Sequence, residues 1–319
     1  MAAFKAYGLA AMFGLAMATP SIATTAEPEA PELIQGANDL STRLTVPVTI
    51  NGAGPYNFVV DTAAERTVIS RQLASRLALG AGKSVTVLSV SGYNQIDTAI
   101  VQLLQLTAGR NRLSGLEAPM MEEADLGASG LLGIDSLKSK RVVMDFKARR
   151  MTIVDSINGG HDSDEIVVTA RSKFGQLILV DASANGMKVN VIIDTGSQVS
   201  IGNPALRTKL EKRGQLGVIT PISILSVTGG RTPADYTSIA HVRLGTITVD
   251  TMPVAFADAE IFHRLGLSQK PAILLGMDVL RGFDRVSVDY ANHTVRFILP
   301  GEAWGPPPRL ASADRRSAG

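Results

Sequence analysis

The chain has 319 residues, 45% of them hydrophobic, which is enough for two core-forming domains of ordinary size. A formal net charge of +2 with 5% aromatics, and no basic stripe interleaved with aromatic residues, argues against a nucleic-acid surface. There is no cysteine, hence no disulfide, thiolate nucleophile or thiolate metal site, and the four histidines (His161, His241, His263, His293) lack ligand spacing, so neither a metal nor another cofactor is expected.

Residues 1–26 have the order of a secretory signal: Lys5, an apolar run over 6–18, Pro20, then small residues with cleavage sites after Ala23 or Ala26. The run is shorter than the roughly 20 apolar residues of a membrane span. An uncleaved N-terminal anchor is the other reading and the one membrane contact the sequence suggests. Export to the periplasm or the outside is therefore expected. A polar stretch, EPEAPE, reads as a linker.

From residue 33 onward, short Val/Ile/Leu/Thr runs alternate with Gly, Asn, Asp and Ser: TVPVTING, YNFVVDT, KSVTVLSVSG, RVVMDF, RMTIV. Such runs predict strands of an all-β protein, with short helices over 71–77 and 204–213. The polar, glycine-rich segment 156–165 predicts a linker between a first lobe at 33–157 and a second at 166–299. The Pro-, Ala- and Arg-rich tail, 300–319, is expected to be disordered.

An internal repeat organises the two lobes. FVVDTAAERTVIS in the first corresponds to VNVIIDTGSQVSIGN in the second, LSVSG to LSVTG, GLLGIDSL to ILLGMDVL, and RVVMDF to RVSVDY. The offset is 133 residues at the Asp-Thr pair (61 to 194), 137 at the glycine (92 to 229) and 143 at the Leu-Leu-Gly glycine (133 to 276). Four blocks recur in one order, which predicts a tandem of two similar β lobes.

Each lobe ends an apolar run with Asp-Thr, at Asp61 and Asp194. Related by a pseudo-twofold axis, the two acids would face each other, share one proton and titrate as a unit; the aspartic-protease dyad is a standard instance of this effect. The charged member would act as base on a water, and the protonated member would polarise a scissile carbonyl. Taken singly, each Asp is an ordinary turn acid; the repeat raises the two together. Asp135 with Asp278, and Asp145 with Asp289, read as structural, and Glu65, opposite Gln198, lacks a repeat partner.

The pattern apolar-apolar-Asp-Thr-Gly-Ser, followed within the lobe by apolar-apolar-Gly, resembles that of retropepsin-like and pepsin-like aspartic peptidases, most closely the bacterial exported tandem-lobed members. The resemblance spans residues 33–299. It implies two closed-barrel lobes with a cleft between them, Asp61 and Asp194 as catalytic residues, and a peptide or protein as substrate. It also implies that Thr62 and Thr195 brace one loop against the other, that Gly196 gives the second loop its glycine, and that Ser197 hydrogen-bonds its aspartate. The LSVSG and LSVTG segments fall at flap positions, with Gly92, Gly229 and Tyr93 near the tips. With the second lobe in cis, a monomer is expected to suffice. Asp61-Thr62-Ala63-Ala64 departs from the pattern, because Ala63 stands where the family has glycine. If that position needed φ > 0, the methyl would cost about 1 kcal/mol or more. The alternative function is thus a catalytically impaired module that binds peptides or a protein in the same cleft.

Overall fold

Residues 45–50, TVPVTI, bury Val46, Val48 and Ile50 at period two, as a strand with one face on a core must. Asn51 and Gly52 follow with φ of 50° and 83°, the two positive values that a tight hairpin needs, and lead into Ala53–Val60. The same device recurs at Asn185 and Gly186, φ 46° and 76°, between Ala182–Ala184 and Met187–Lys188. This computed structural model describes residues 32–33, 45–90, 92–106, 112–156 and 164–301. The signal segment, residues 157–163 of the linker, tail residues 302–319 and His161 lie outside the described residues.

Six strands close a barrel in the first lobe, in the order Thr45–Ile50, Ala53–Val60, Gly130–Leu132, Val68–Ser70, Arg112–Met121, Thr98–Leu106. The second lobe repeats the ring: Ala182–Ala184, the stretch formed by Met187–Lys188 and Asn190–Ile193, Ala272–Leu275, Ile201–Gly202, Ile247–Phe256 and Arg231–Leu244, which returns to Ala182–Ala184. Val189, between the two pieces of that stretch, still donates its N–H to Ala182 O. Strand senses match as well. Ala53–Val60 and Asn190–Ile193 each run parallel to their Leu-Leu strand, and Val68–Ser70 and Ile201–Gly202 are each antiparallel to it.

The helices expected after VIS and after IGN are present as Arg71–Arg76 and Pro204–Glu211. Their N-caps occupy equivalent positions. Ser70 Oγ accepts from Leu73 N at 3.0 Å, and Asn203 Oδ1 from Leu206 N at 2.9 Å, with Pro204 supplying a first-turn residue that needs no N–H partner.

One sheet joins the lobes. The last hairpin of the first lobe, Lys140–Asp145 with Arg150–Asp155, pairs antiparallel with Arg285–Asp289 of the second. That strand pairs with Thr294–Ile298, which continues through Ile166–Lys173 and Gln176–Leu179 to Asn190–Ile193. Beneath it Val142, Met144, Val286, Val288, Phe283 and Phe297 are buried in one apolar cluster that reaches both rings, and the rings of Phe283 and Phe297 lie 4.8 Å apart. Because the shared core couples the lobes, Phe297→Ala is expected to cost about 3–5 kcal/mol and to leave a single urea transition for both lobes; two separated transitions in the parent protein would contradict this coupling.

Candidate active site

The carboxyls of Asp61 and Asp194 come together because each follows the strand that runs parallel to a Leu-Leu-Gly strand. Asp61 N donates to Leu132 O at 2.9 Å, and Asp194 N to Leu275 O at 3.0 Å. The glycines ending those strands admit the loop backbone. A Cβ on Gly133 would lie 2.5 Å from the carbonyl of Arg66, and one on Gly276 2.7 Å from that of Val199. Asp135 and Asp278 then clamp the loops from below. Asp135 accepts from Thr67 N and Thr67 Oγ1, and Asp278 from Ser200 N and Ser200 Oγ, with the two hydroxyl bonds both 2.7 Å. These are the structural roles expected for the second pair of repeated acids.

Two threonines lock the loops together across the pseudo-axis. Thr62 N donates to Thr195 Oγ1 and Thr195 N to Thr62 Oγ1, both at 3.1 Å. The hydroxyls donate onward, Thr62 to Ile193 O at 2.8 Å and Thr195 to Val60 O at 2.6 Å. All four bonds are buried, so each carries the desolvation cost of being broken as well as its own strength.

Each aspartate accepts two backbone N–H groups at its own loop. Asp61 Oδ1 accepts from Ala63 N (2.8 Å) and Ala64 N (2.9 Å), and Asp194 Oδ1 from Gly196 N (2.9 Å) and Ser197 N (3.1 Å). The two carboxyls are hydrogen-bonded to each other. Burial first and the Asp61 charge second hold the Asp194 carboxyl well above the usual carboxylate range, against the opposing effect of its two backbone donors. The pair therefore retains a proton where a free Asp has lost it. Directly beneath, Tyr290 Oη donates to Thr62 O at 3.3 Å; burial, then the neighbouring Asp61, raises this phenol well above its ordinary value, so it stays a neutral donor.

The two half-sites differ where the sequence does. Ala63 does not have a positive φ, so its methyl carries none of the left-handed strain that glycine would relieve. Gly196 has no positive φ either, yet a Cβ there would lie 2.2 Å from Asp61 Oδ2. Glycine at 196 is required by the close approach of the partner carboxyl. At 63 a methyl is accommodated.

A cavity opens above the pair, lined by Asp61, Asp194, Gly196, Gln176 and Ala63 at its floor and by apolar side chains such as Met121, Leu131 and Ile261 on its walls. Its roof is made by two hairpins. Thr86–Val90 of the first lobe and Val227 of the second line it. Each tip reaches the opposite lobe: Val90 packs on the second lobe's cluster of Val199, Ile222 and Phe262, and Val227 on the first lobe's cluster of Val68, Met121 and Leu131. Thr228 Oγ1 donates to Ser89 Oγ at 3.1 Å, linking the tips.

Of the residues expected at the flaps, Gly92 (φ 119°) begins the returning strand Gly92–Ile96, and Gly229 (φ 80°) sits in the turn of the second hairpin. Tyr93 is on the first hairpin but is 57% exposed and is not among the residues lining the cavity. Ser197 meets Asp194 through its backbone N–H, while its hydroxyl donates to Val199 O at 2.6 Å. Glu65 makes an ion pair across the cleft with Arg264, whose guanidinium stacks 4.9 Å from the Phe174 ring centroid. Gln176 and Tyr290 were not among the sequence expectations. Tyr290 was within reach, since the repeated strand ends in Phe146 in one lobe and in Tyr290 in the other.

The aspartyl protease family matches the chain over residues 46–136 and 180–279, one segment in each lobe. No curated protein matches it.

Burial of Asp278 pushes its carboxyl from 3.8 up to about 6, despite the donors from Ser200 and Val279. A carboxyl that holds its proton more tightly when folded stabilises the fold fully below pH 3.8, and this contribution is lost as pH rises through about 6. The unfolding free energy is expected to fall between those limits, and Asp278→Asn to flatten the fall by on the order of 3 kcal/mol. Urea titrations at pH 4 and 7 check this; a variant with the parent's full slope would refute it.

Proposed function

Since the chain belongs to the aspartyl protease family in both of its lobes, we propose that it is an exported aspartic endopeptidase. In this reading Asp61 and Asp194 together activate a water against a peptide bond. The observation that carries it is the hydrogen-bonded carboxyl pair, with one member held well above the usual range, at the floor of a cavity.

Asp61 is the more exposed of the two, Asp194 being 7% exposed. Asp61 takes the role of the charged base and Asp194 that of the proton donor, although the two titrate as one system. The base removes a proton from water as its oxygen adds to the carbonyl carbon, and Asp194 gives its proton to the carbonyl oxygen. Collapse of the tetrahedral diol breaks the C–N bond, and a carboxyl returns a proton to the leaving amine. No nucleophile on the protein is acylated. The backbone donors at Ala63, Ala64, Gly196 and Ser197 hold the carboxyl planes fixed throughout, so little reorganisation accompanies the charge shift. Export rests on the signal-like order of residues 1–26.

Cleavage of an apolar peptide library should be fastest on the acid side of neutrality, and Asp61→Asn or Asp194→Asn should each lower kcat by about 10²–10⁴. Activity surviving either change at the parent level removes the dyad.

The two loop positions give an opposite pair of expectations. Gly196→Ala drives a methyl into the Asp61 carboxyl and should cost about 100-fold or more in kcat/KM, whereas Ala63→Gly should change it by less than about threefold. A large gain on Ala63→Gly would instead show an enzyme compromised by the methyl, whereas a protein that binds a statine-type peptide but cleaves nothing would favour the peptide-binding module.

A further inference from the structure

Gln176 is fully buried, with no exposed surface, yet it lines the cavity beside Asp61, Asp194 and Gly196. It opens the strand Gln176–Leu179 directly after a two-residue turn, Phe174-Gly175, with φ of 53° and 85°. The turn is held from the second lobe: Lys173 Nζ donates to Leu265 O at 2.6 Å, and Arg264 stacks on Phe174. The side chain then crosses to the first lobe, where Nε2 donates to Ala63 O at 2.7 Å. That bond fixes the amide, because the reversed orientation would set oxygen against oxygen. The other end, Oε1, is buried and has no hydrogen-bond partner.

Buried acceptors without donors are rare, and each calls for a specific cause. Here the cause is consistent with the site's ligand. An extended peptide entering the cavity brings backbone N–H groups that lose water on burial and must find acceptors. The floor offers few, since the Asp61 and Asp194 Oδ1 atoms already accept from their own loops.

We propose that Gln176 Oε1 accepts a hydrogen bond from one backbone N–H of the bound peptide next to the scissile bond, making Gln176 a substrate-binding residue of the second lobe. Through Nε2 the same side chain holds the Ala63 carbonyl, so seating the peptide and fixing the Asp61 loop are mechanically one act. The inference rests on the peptide-binding part of the proposed reading of the cavity, and it concerns binding alone.

The test uses a statine-containing hexapeptide with apolar side chains and a set of analogues, each N-methylated at one backbone nitrogen. These are titrated by calorimetry into the full parent chain and into Gln176→Leu, with Gln176→Met in its place should the leucine variant not fold. One analogue is expected to bind the parent about tenfold more weakly than the unmodified peptide, and that same methylation is expected to cost nothing further in the variant. A merely structural glutamine predicts N-methyl penalties that simply add to the variant's own at every position. Additive penalties, equal binding of the unmodified peptide by parent and variant, or no binding by the parent each overturn the proposal; equal binding would mean that a water satisfies Oε1. Cleavage of unmodified peptides is scored separately. A parent that cleaves nothing but shows the coupling overturns the peptidase reading and leaves the Gln176 contact standing.

Discussion

Two carboxyls in hydrogen-bonding contact repel each other as soon as both are charged, and the fold has to hold them together against that repulsion. The paired threonines fix the separation of the loops through four buried bonds, and each carboxyl is pinned by two N–H groups of its own turn. Asp135 and Asp278 fasten those turns to the Leu-Leu-Gly strands beneath. Relief of the repulsion is left to a retained proton, and burial of Asp194 enforces it. The rigidity of the frame is what makes the proton the variable.

The frame is nearly twofold, but the chemistry need not be. The six-stranded ring, the Asn-Gly hairpin, the capped helix and the clamp all recur at equivalent positions. The differences fall at residues lining the cavity, namely Ala63 against Gly196, Glu65 paired with Arg264, and Gln176 reaching across to the other loop, and at the ends of the repeated strands, Phe146 against Tyr290. Such asymmetry separates the two carboxyls into a more exposed and a more buried member.

Much of this was legible in the sequence because the repeated blocks are the ones the ring geometry demands. Asp-Thr must follow a strand, and Leu-Leu-Gly must end where a loop backbone crosses it, so both recur intact. The Asn-Gly pairs at 51–52 and 185–186 were an equally readable signal of the same repeat. Gln176 could not be read in this way. It lies in the strand that links the shared sheet to the second ring, outside the four repeated blocks, and its importance comes from a carbonyl 113 positions earlier in the chain. The partnership of Glu65 with Arg264 spans 199 positions and has no spacing that chain order would flag. The position of Tyr93 on a hairpin was foreseeable, but the direction of its side chain depends on the twist of that hairpin.

The sheet that runs from one lobe into the other makes the duplication irreversible in a practical sense. Two separate identical halves would have to carry every substitution twice, once on each side of the axis, so a methyl tolerated near one carboxyl would also be thrust against its mate. Lys140–Asp145 laid beside Arg285–Asp289 sews the halves into one chain and one core. Natural variation can then tailor the left and right walls of the cleft independently, giving an inherently directional substrate, with an amino end and a carboxyl end, a container that distinguishes them.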